Sequence, residues 1–465
     1  MRVALRLIWK GRSWLAAGVL VMITACSTVD PSLDYARTAK KVEQATGHSG
    51  LYRANDESNG TKQRVYDLLD GSLSLEESVE LCLLNNARLQ TALLEVGLSH
   101  AELVQSGLLS NPSLNGLIRL PVDGDQSAIE AGIVQNLIEL WQIPAKKRLA
   151  KKALESTVMR IAYEAARTVV ETKAAYYTTI AAKEILAVEK QNVDTTTTFL
   201  ELVTAQQQSG SATEVDVNAA RAEVLEQEVT LRSAQLAFFE SKRKLAILLG
   251  LELSPNDLDL SDPLLPLPHW TFDVPQLIDL AKGHRLDLQA ATENVLTTQQ
   301  ALSLEKRLFL RNASAGAGLE SEGSNITVGP AIRLQVPVFD QNQAQIAKAE
   351  IRYAQASQTL KALTVEVIQQ VRGAQEGFLA ARDIARSYKE RILPLAENSL
   401  ELAQESFRAG KTGVLSVLIA QRKLLSARRD YFRKLEQLAH SVINIEAAIG
   451  MPVSKLLDVE RKSPL

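Results

Sequence analysis

The chain has 465 residues, which is enough for two or three ordinary domains or for one elongated domain. Aromatic residues make up only 5% and hydrophobic residues 46%, a balance that favours Ala-, Leu- and Val-rich helices over a thick globular core. The formal net charge of −2 leaves no basic footprint, so the composition argues against a nucleic acid partner.

Residues 1–25 are predicted to be a secretory signal peptide. A basic start is followed by an apolar run over residues 14–23, which is too short to span a bilayer as a permanent helix. The small residues before Cys26 resemble a bacterial lipoprotein signal. The resemblance implies cleavage before Cys26 and lipidation of that cysteine, with Ser27 in place of Asp favouring the outer membrane. A plain signal peptide cut nearby, with Cys26 incidental, is the alternative.

Residues 26–73 are predicted to form the lipid anchor and an irregular arm, because glycines and asparagines interrupt any periodicity there. A helix is predicted over residues 74–109, with Ser74 as its N-cap and Glu77 in the capping-box position. A copy of the start of this helix begins at Asp273, 199 residues later. The duplication therefore reaches the beginning of both halves.

Two stretches in each half alternate apolar and polar residues with the period of a strand. The predicted strands cover about residues 112–120 and 127–138 in the first half, and about 312–320 and 325–337 in the second. Their length and their two unlike faces suit transmembrane β-strands. A small soluble sheet packed on helices is the alternative.

Each pair of predicted strands leads into a very long helix. A helix is predicted over residues 144–208, with the four-three spacing of a coiled-coil seam from Leu154 to Ala175, and residues 340–408 are its counterpart. Pro394 lies near the end of the second long helix. We expect a local kink there, because proline removes a backbone hydrogen bond from a helix.

A glycine turn and a shorter helix follow each long helix, and these segments carry the clearest sign of duplication. Gly210 and Gly410 begin the two turns, and Gly250 and Gly450 end the two shorter helices, 200 residues apart in both cases. The apolar positions between them match without a gap. Because chance heptads do not also align the glycines at both ends, we interpret the chain as an internal duplication.

The predicted organisation is therefore two repeats joined by a linker. Repeat 1 covers residues 74–250 and repeat 2 covers residues 273–450. The linker 251–272 is rich in proline, which favours an extended belt across the helices, and the tail 451–465 is short. In each repeat two shorter helices lie beside a long one, with the strand pair at one end and the glycine turn at the other.

Four strands in one chain cannot close a barrel. In lipid, each open edge of a sheet would leave unpaired backbone groups that cost several kcal/mol each. The chain is therefore expected to oligomerise if its strands span a membrane. An aqueous interior would also explain the polar strand positions, which are Glu130, Asn136, Glu320, Arg333 and Gln335.

The order and duplication of these segments resemble the outer-membrane efflux protein family, the TolC-like channels, and in particular its lipid-anchored branch. The resemblance covers residues 74–450 and rests on the turn motifs 210–217 and 410–417, on the Val-Pro-Val-Phe-Asp run ending at Asp340, and on the Leu-Leu-Gly run ending at Gly250. It implies a mostly α fold with membrane β-strands. Three chains would combine twelve strands into one transmembrane β-barrel and their long helical hairpins into an α-barrel.

The resemblance also implies a function and partners. Such a homotrimer, anchored in the outer membrane of a Gram-negative bacterium, passively conducts substrates across the periplasm and outer membrane. An inner-membrane pump of the resistance–nodulation–division type would deliver them with a periplasmic adaptor protein. The adaptor would dock on the two glycine turns, through Gly210, Thr213, Asp216, Gly410, Thr412, Gly413 and Ser416. The family often has Asp where Asp216 stands, so Ser416 is a departure. In this family the pump largely selects the substrate, so the sequence does not name it.

Glu201 and Glu401 occupy equivalent positions nine residues before the two turns. In a trimer, six such carboxylates would lie at one level near the periplasmic entrance. If they face the lumen, they would favour cations there. A solvated outer helix face is the simpler alternative, and the sequence alone favours it.

The sequence predicts no enzyme, no cofactor and no metal site. It contains no nucleophile elbow or P-loop, its five histidines are scattered, and Cys82 stands alone on an apolar helix face. The alternatives to a drug or metal efflux channel are the outer-membrane component of type I polypeptide secretion, a periplasmic adaptor, and a non-channel coiled-coil periplasmic lipoprotein. An adaptor has one helical hairpin instead of two, and a coiled-coil lipoprotein would not need two β-hairpins.

Overall fold

The computed structural model describes residues 29–51, 59–120, 127–252, 258–310, 313–322 and 325–462. The predicted signal peptide and Cys26 lie outside these residues. The described chain is mostly helical and contains a four-stranded sheet, which confirms the predicted mostly α class with four strands per chain.

Two short helices precede the repeats, α1 (Ser32–Thr46) and α2 (Asn59–Leu69). Repeat 1 contains α3 (Leu75–Asn85), α4 (Ala87–Ser106), β1 (Ser113–Arg119), β2 (Ala128–Asn136), α5 (Ile138–Gln208) and α6 (Glu214–Leu249). Repeat 2 contains α7 (Val274–His284), α8 (Leu286–Glu305), β3 (Ala313–Glu322), β4 (Asn325–Leu334), α9 (Gln343–Ser387), a π turn (Tyr388–Ile392), α10 (Leu393–Arg408) and α11 (Val414–Ile449). A last helix, α12 (Val453–Lys462), follows repeat 2.

The shorter helices of the two repeats match in length. Helices α3 and α7 have 11 residues each, α4 and α8 have 20 each, and α6 and α11 have 36 each. The long helix of repeat 1 is one run of 71 residues, or roughly 107 Å at 1.5 Å per residue. In repeat 2 the same path is divided among α9, the π turn and α10. These matched lengths agree with a duplicated chain.

The helix predicted over residues 74–109 is two helices, because the chain turns at Asn86. Asn86 has extended dihedral angles (φ −69°, ψ 111°), and its side-chain oxygen accepts the backbone N–H three residues later at 3.0 Å. This bond starts α4 as a new helix. Arg285 takes the same backbone conformation in repeat 2. The predicted capping box of Ser74 and Glu77 does begin α3.

The N-terminal arm, predicted to be irregular, contains α1 and α2. Tyr35 and Val42 lie seven residues apart on one face of α1 and are buried in a cluster with Val79 and Leu83 of α3. Gly47, in the left-handed conformation, ends α1. The prediction was wrong because burial against repeat 1 stabilises α1, and the composition of the arm does not show that contact.

Repeat 2 interrupts its long helix with the π turn directly before Pro394. Because Pro394 has no backbone N–H, the carbonyl of Glu390, four residues earlier, loses its helical donor. The helical turn is wider here, because the N–H of Leu393 donates to the carbonyl of Tyr388, five residues back. The disturbance expected at Pro394 therefore takes the form of a π turn.

The strands form one antiparallel sheet in the order β1-β2-β3-β4, so β1 and β4 are the edges of the described sheet. On one face, the register places Asn115, Gly132, Gly318 and Gly329 in a row across the four strands. On the other face, the neighbouring row is apolar and consists of Gly116, Ala131, Leu319 and Val328. Apolar side chains of this face are exposed in the single chain, Val328 by 71%.

A glycine is required at Gly316 in β3. A Cβ placed there would lie 1.9 Å from the carbonyl oxygen of Ile133 on β2, far inside van der Waals contact. Within the ranges that the structure covers, no helix combines the length and apolar character needed to cross a membrane.

Candidate functional site

The two glycine turns lie together, although they are 200 residues apart in sequence. Side chains beside both turns form one buried apolar group, here called the tip cluster, of Phe199, Val203, Val217, Ala220, Val414, Val417 and Leu418. The rings of Phe199 and Phe407 pack against each other, with centroids 6.1 Å apart. Hydrophobic contact across the repeats therefore holds the two turns at one end of the molecule.

Both turns have the same backbone structure. Gly210 has φ +80° and its N–H donates to the carbonyl of Gln207 at 3.0 Å, while Gly410 has φ +69° and donates to Phe407 at 2.9 Å. A Cβ added at either glycine would meet no atom within 4 Å. Glycine is thus favoured at both places by the left-handed dihedral angles and not by lack of space.

The helices that follow the turns begin differently. Thr213 and Asp216 form a complete capping box at the start of α6: the Thr213 N–H donates to Asp216 Oδ2 at 2.9 Å, and the Asp216 N–H donates to Thr213 Oγ1 at 3.2 Å. Hydrogen bonds from Thr213 lower the pKa of the Asp216 carboxyl. Helix α11 has no side-chain cap at Gly413, and Ser416 Oγ donates to the Gly413 carbonyl at 2.8 Å.

The predicted docking residues fall into two groups. Asp216 and Ser416 are half-buried and take part in the start of their helices, whereas the others are exposed at the turns: Gly210, Thr213, Gly410, Thr412 and Gly413. The structure adds two residues that the sequence analysis missed. Val215 is 75% exposed and Leu415 is 67% exposed, in the first turn of α6 and α11. Val215 and Leu415 stand at equivalent positions in the first turn of the two helices. A pair of apolar residues at the start of both helices could have identified them from the sequence.

Glu201 and Glu401 are both exposed on the helices that lead into the turns. Their neighbours Leu202 and Leu402 are also exposed, by 41% and 56%. The structure of the single chain therefore places the two carboxylates at matched, open positions near the tip cluster.

Charged contacts connect repeat 2 to repeat 1 beyond the tip cluster, and we call them the polar seam. Arg422 of α11 contacts Glu223 and lies 3.2 Å from Glu226, both on α6. Arg429 of α11 lies 3.3 Å from Glu189 of α5. The side chains of Glu189 and Glu223 are 0% and 1% exposed, so both buried carboxylates depend on these arginines.

A cavity of about 430 Å³ lies midway along the long helices, where α1, α5, α9 and α11 meet. Lys173 and Glu446 line it and form an ion pair at 2.8 Å. The cavity is remote from the turns in sequence and has no part in the predicted site.

The described residues show little potential for covalent or metal chemistry. Burial raises the pKa of the Cys82 thiol to about 11, so this cysteine stays protonated at neutral pH. Across the described ranges, no three His, Cys, Asp or Glu side chains are grouped so that they could hold a metal ion.

Sequence comparison finds relatives among efflux proteins. Residues 277–451 match the profile of the family described as outer membrane efflux protein. The cobalt-zinc-cadmium resistance protein CzcC of Cupriavidus metallidurans is 24% identical over 389 residues, which is 82% of this chain and 90% of CzcC. The outer membrane protein TolC of Vibrio cholerae is 26% identical over 188 residues, or 37% of this chain and 43% of TolC.

Solved structures share the fold. A membrane protein from Pseudomonas aeruginosa superposes with a TM-score of 0.71 at 18% identity, covering 81% of this chain and 93% of that protein. CusC superposes with a TM-score of 0.69 at 17% identity, covering 81% of this chain and 92% of CusC.

Proposed function

We infer that this chain, a TolC-like outer membrane efflux protein, is the outer-membrane channel of a tripartite efflux system. It lies in the outer membrane of a Gram-negative bacterium and extends into the periplasm, and like its relatives it is not an enzyme. Proteins of this family act as trimers with an adaptor and an inner-membrane pump.

One structural observation carries this function: each chain joins two matched helical hairpins to a sheet with open edges. Each edge strand, β1 and β4, is paired on one side only within the described sheet, and one face of the sheet is apolar and exposed. Both features are costly in a lone chain and are resolved when copies pair edge to edge in lipid. We propose that residues 74–250 and 273–450 are the two duplicated units, and that three chains supply twelve strands to one barrel.

Conductance in a planar lipid bilayer tests the proposal. The detergent-extracted full chain should produce stable single-channel steps, because a trimeric barrel encloses water. Protein denatured by heat before reconstitution is the control and should give none. Folded trimers that produce no conductance, with or without adaptor, would contradict a channel and favour a structural lipoprotein.

We propose that the periplasmic adaptor docks at the two turns. The exposed turn residues named above lie close in sequence to Val215 and Leu415, which are exposed apolar residues. Exposed apolar side chains are typical of docking surfaces. Changing Leu415 to Glu should reduce co-purification of the adaptor at least tenfold while the mass of the trimer is unchanged. The same change at Leu395, which is 67% exposed on α10, is the matched control. Equal loss from both variants would contradict docking at the turns.

We propose that the pump is of the resistance–nodulation–division type and that Cys26 carries the lipid anchor. The first relative reported above is a metal-resistance protein by name, and others are named for pyoverdine export and toluene efflux, so the cargo differs among relatives. Mass spectrometry of the mature N-terminus tests the anchor: an acylated Cys26 is expected, and a free thiol on a longer chain would contradict it.

Glu201 and Glu401 are proposed as entrance carboxylates that favour cations. Their exposure at matched positions supports this role. The double variant Glu201→Gln with Glu401→Gln should lower the cation preference of single channels, because six negative charges are removed from a trimer. Glu405→Gln is a control for removal of an exposed charge nearby. An unchanged cation preference in the double variant would place the two residues on a solvated outer face.

A further inference from the structure

The cavity midway along the long helices is elongated and combines a buried ion pair with an apolar wall. Lys173 of α5 pairs there with Glu446 of α11, and Tyr163, ten residues before Lys173 on the same helix, also lines the cavity. Ten residues of helix span roughly 15 Å at 1.5 Å per residue. The volume of about 430 Å³ lies in the range of small-molecule pockets. Small or aliphatic side chains form much of the wall, among them Ala166, Val170, Ala374 and Ala447.

Both carboxylates that line the cavity are already occupied by donors of the protein. Glu446 accepts the Lys173 ammonium at 2.8 Å through Oε2 and the Val453 N–H at 3.0 Å through Oε1. Asp287 accepts Nε and Nη2 of Arg285 at 2.9 Å and 2.6 Å. The acceptor groups of the cavity therefore have little capacity left for a cationic ligand.

The donors that line the cavity are not all used. An ammonium has three N–H groups, and within the described part of the chain Lys173 donates only to Glu446, while the residue is 8% exposed. Arg167 is exposed at the rim and pairs with Glu171, which is exposed as well, at 3.2 Å. The half-buried hydroxyl of Tyr163 makes no hydrogen bond to any described residue. The spare polar capacity of the cavity is thus donor capacity, which suits an acceptor group on the ligand.

The other repeat shows that the fold does not require this opening. Where α6 ends in repeat 1, Asn85 donates to two carbonyls at the helix end, at 3.0 Å and 2.8 Å. The equivalent residue in repeat 2 is His284, which bonds a carbonyl of its own helix, so it does not close the junction beside which the cavity lies. Glu446 is also specific to repeat 2, since the equivalent residue of repeat 1 is Ala246.

We propose that this cavity binds a small carboxylate with a flat, apolar body, such as an aromatic carboxylic acid in its ionised form. The ligand carboxylate would accept hydrogen bonds from Lys173, and charge-assisted bonds of this kind are the strong ones. The body would lie between α5 and α9, where Gly373 adds no side chain to the wall. One negative charge on the ligand would match the three cations of the lining with three anions, because the protein supplies only two: Arg167, Lys173 and Arg285 against Asp287 and Glu446.

Binding would also connect the N-terminal arm to the end of repeat 2. Ala45 and Thr46, in the last turn of α1, line the cavity together with Pro452. Lys455 of α12 already donates to the carbonyl of Glu43 at 3.4 Å. A ligand that fills the cavity would add contacts to both segments, so hydrogen exchange at the end of α1 should slow when the cavity is occupied.

Fluorine NMR of the detergent-extracted full chain with para-trifluoromethylcinnamate measures the binding. We expect a saturable bound signal. The neutral isostere, para-trifluoromethylcinnamamide, should bind at least tenfold more weakly, because it has no charge to pair with the ammonium. At saturation with the acid, the backbone amides of Ala45 and Thr46 should exchange at least threefold more slowly.

Two variants separate this cavity from other binding. Lys173→Met with Glu446→Gln removes both charges and keeps an acceptor for Val453, so no buried charge is left unpaired. It should bind the acid at least tenfold more weakly than the unchanged chain does, and no better than the amide. Ala447→Phe adds a ring from the exposed rim and should abolish binding. Ala380→Phe is its matched control, exposed on α9 outside the cavity, and should bind normally.

The proposal is overturned if the unchanged chain and the double variant bind the acid equally, because binding would then come from the detergent or another surface. Undiminished binding in Ala447→Phe would overturn it as well. Conductance of the same samples keeps this inference apart from the proposed function. A conducting chain that does not bind the acid would retain the channel and lose the site, and binding without conductance would do the reverse.

Discussion

The two repeats share their backbone and differ in the side chains that stabilise it. Both turns place a glycine at positive φ and close the preceding helix with the same hydrogen bonds. Repeat 1 then starts its helix with a capping box and has a continuous long helix, whereas repeat 2 has no side-chain cap at Gly413 and has a π turn. The backbone of the two repeats is alike where it forms the hairpin, and the side-chain contacts differ.

The largest expected effect concerns the polar seam. Repeat 2 contributes its arginines and repeat 1 contributes its carboxylates. Arg429→Ala should lower the free energy of unfolding by about 3 kcal/mol, because Glu189 would remain buried without its counter-charge. Denaturant unfolding of the extracted protein measures this. Arg428→Ala is the control: its partner Glu397 is exposed, so the loss should stay below about 1 kcal/mol. Equal losses would mean that the seam is no stronger than a surface ion pair.

The next effect compares Gly210, in the turn before α6, with Gly250, which caps the end of α6. A Cβ at Gly250 would lie 2.3 Å from the Asn85 carbonyl oxygen, whereas a Cβ at Gly210 would meet nothing. Left-handed dihedral angles alone cost a non-glycine residue roughly 1–2 kcal/mol. Gly210→Ala should therefore lower the midpoint of thermal unfolding modestly, and Gly250→Ala should lower it clearly further. Similar midpoints for the two variants would show that the backbone at Asn85 moves away from the added Cβ at little cost.

A smaller effect follows from the unequal helix starts. Thr213→Ala should destabilise the start of α6 by about 1 kcal/mol, because it removes the capping hydroxyl. The double change Gly413→Thr with Ser416→Asp should install the same box on α11 and stabilise it by about 0.5–1 kcal/mol. Hydrogen exchange of the backbone amides next to each turn measures both. Faster exchange in the double variant would show that the second turn cannot adopt the box.

The smallest effect is a pH dependence confined to repeat 1. The pKa of Asp216 is lowered in the folded chain, so its stabilisation is complete above the unfolded carboxyl pKa of about 3.9 and is lost as pH falls through the folded value. Hydrogen exchange near Thr213 should then rise below about pH 4 beyond its intrinsic trend, relative to the amides near Gly413. Asp216→Asn should remove the difference. A difference that persists in this variant would have to come from another group.

The sequence predicted those parts of the fold that depend on local pattern. Alternation located the four strands near their observed positions, and the paired glycines located both hairpin turns and both helix ends. The site residues at the turns followed from the same glycines. A glycine at positive φ leaves a clear mark, because few other residues tolerate that conformation.

The remaining features depend on contacts between segments distant in sequence. Helix α1 is stabilised by burial of Tyr35 and Val42 against repeat 1, and the break at Asn86 is held by a side-chain bond inside an apolar pattern that continues through it. The pairing of Arg422 with Glu223 joins residues 199 positions apart. Only the seven-residue spacing of charges on α11 signalled this seam, and such spacing is also common on solvated helices.

The π turn of repeat 2 also lies where the two repeats differ in length by one residue. Before the turn, equivalent buried positions of the long helices are 199 residues apart, as Thr179 and Phe378 are. After the turn they are 200 apart, as Thr196 and Ala396 are. Repeat 2 therefore has one residue more than repeat 1 between these points, and the wider turn of Tyr388–Ile392 takes it up locally. The buried face of the helix keeps its phase on both sides of this extra residue, so a difference of one residue in length leaves the hairpin packed.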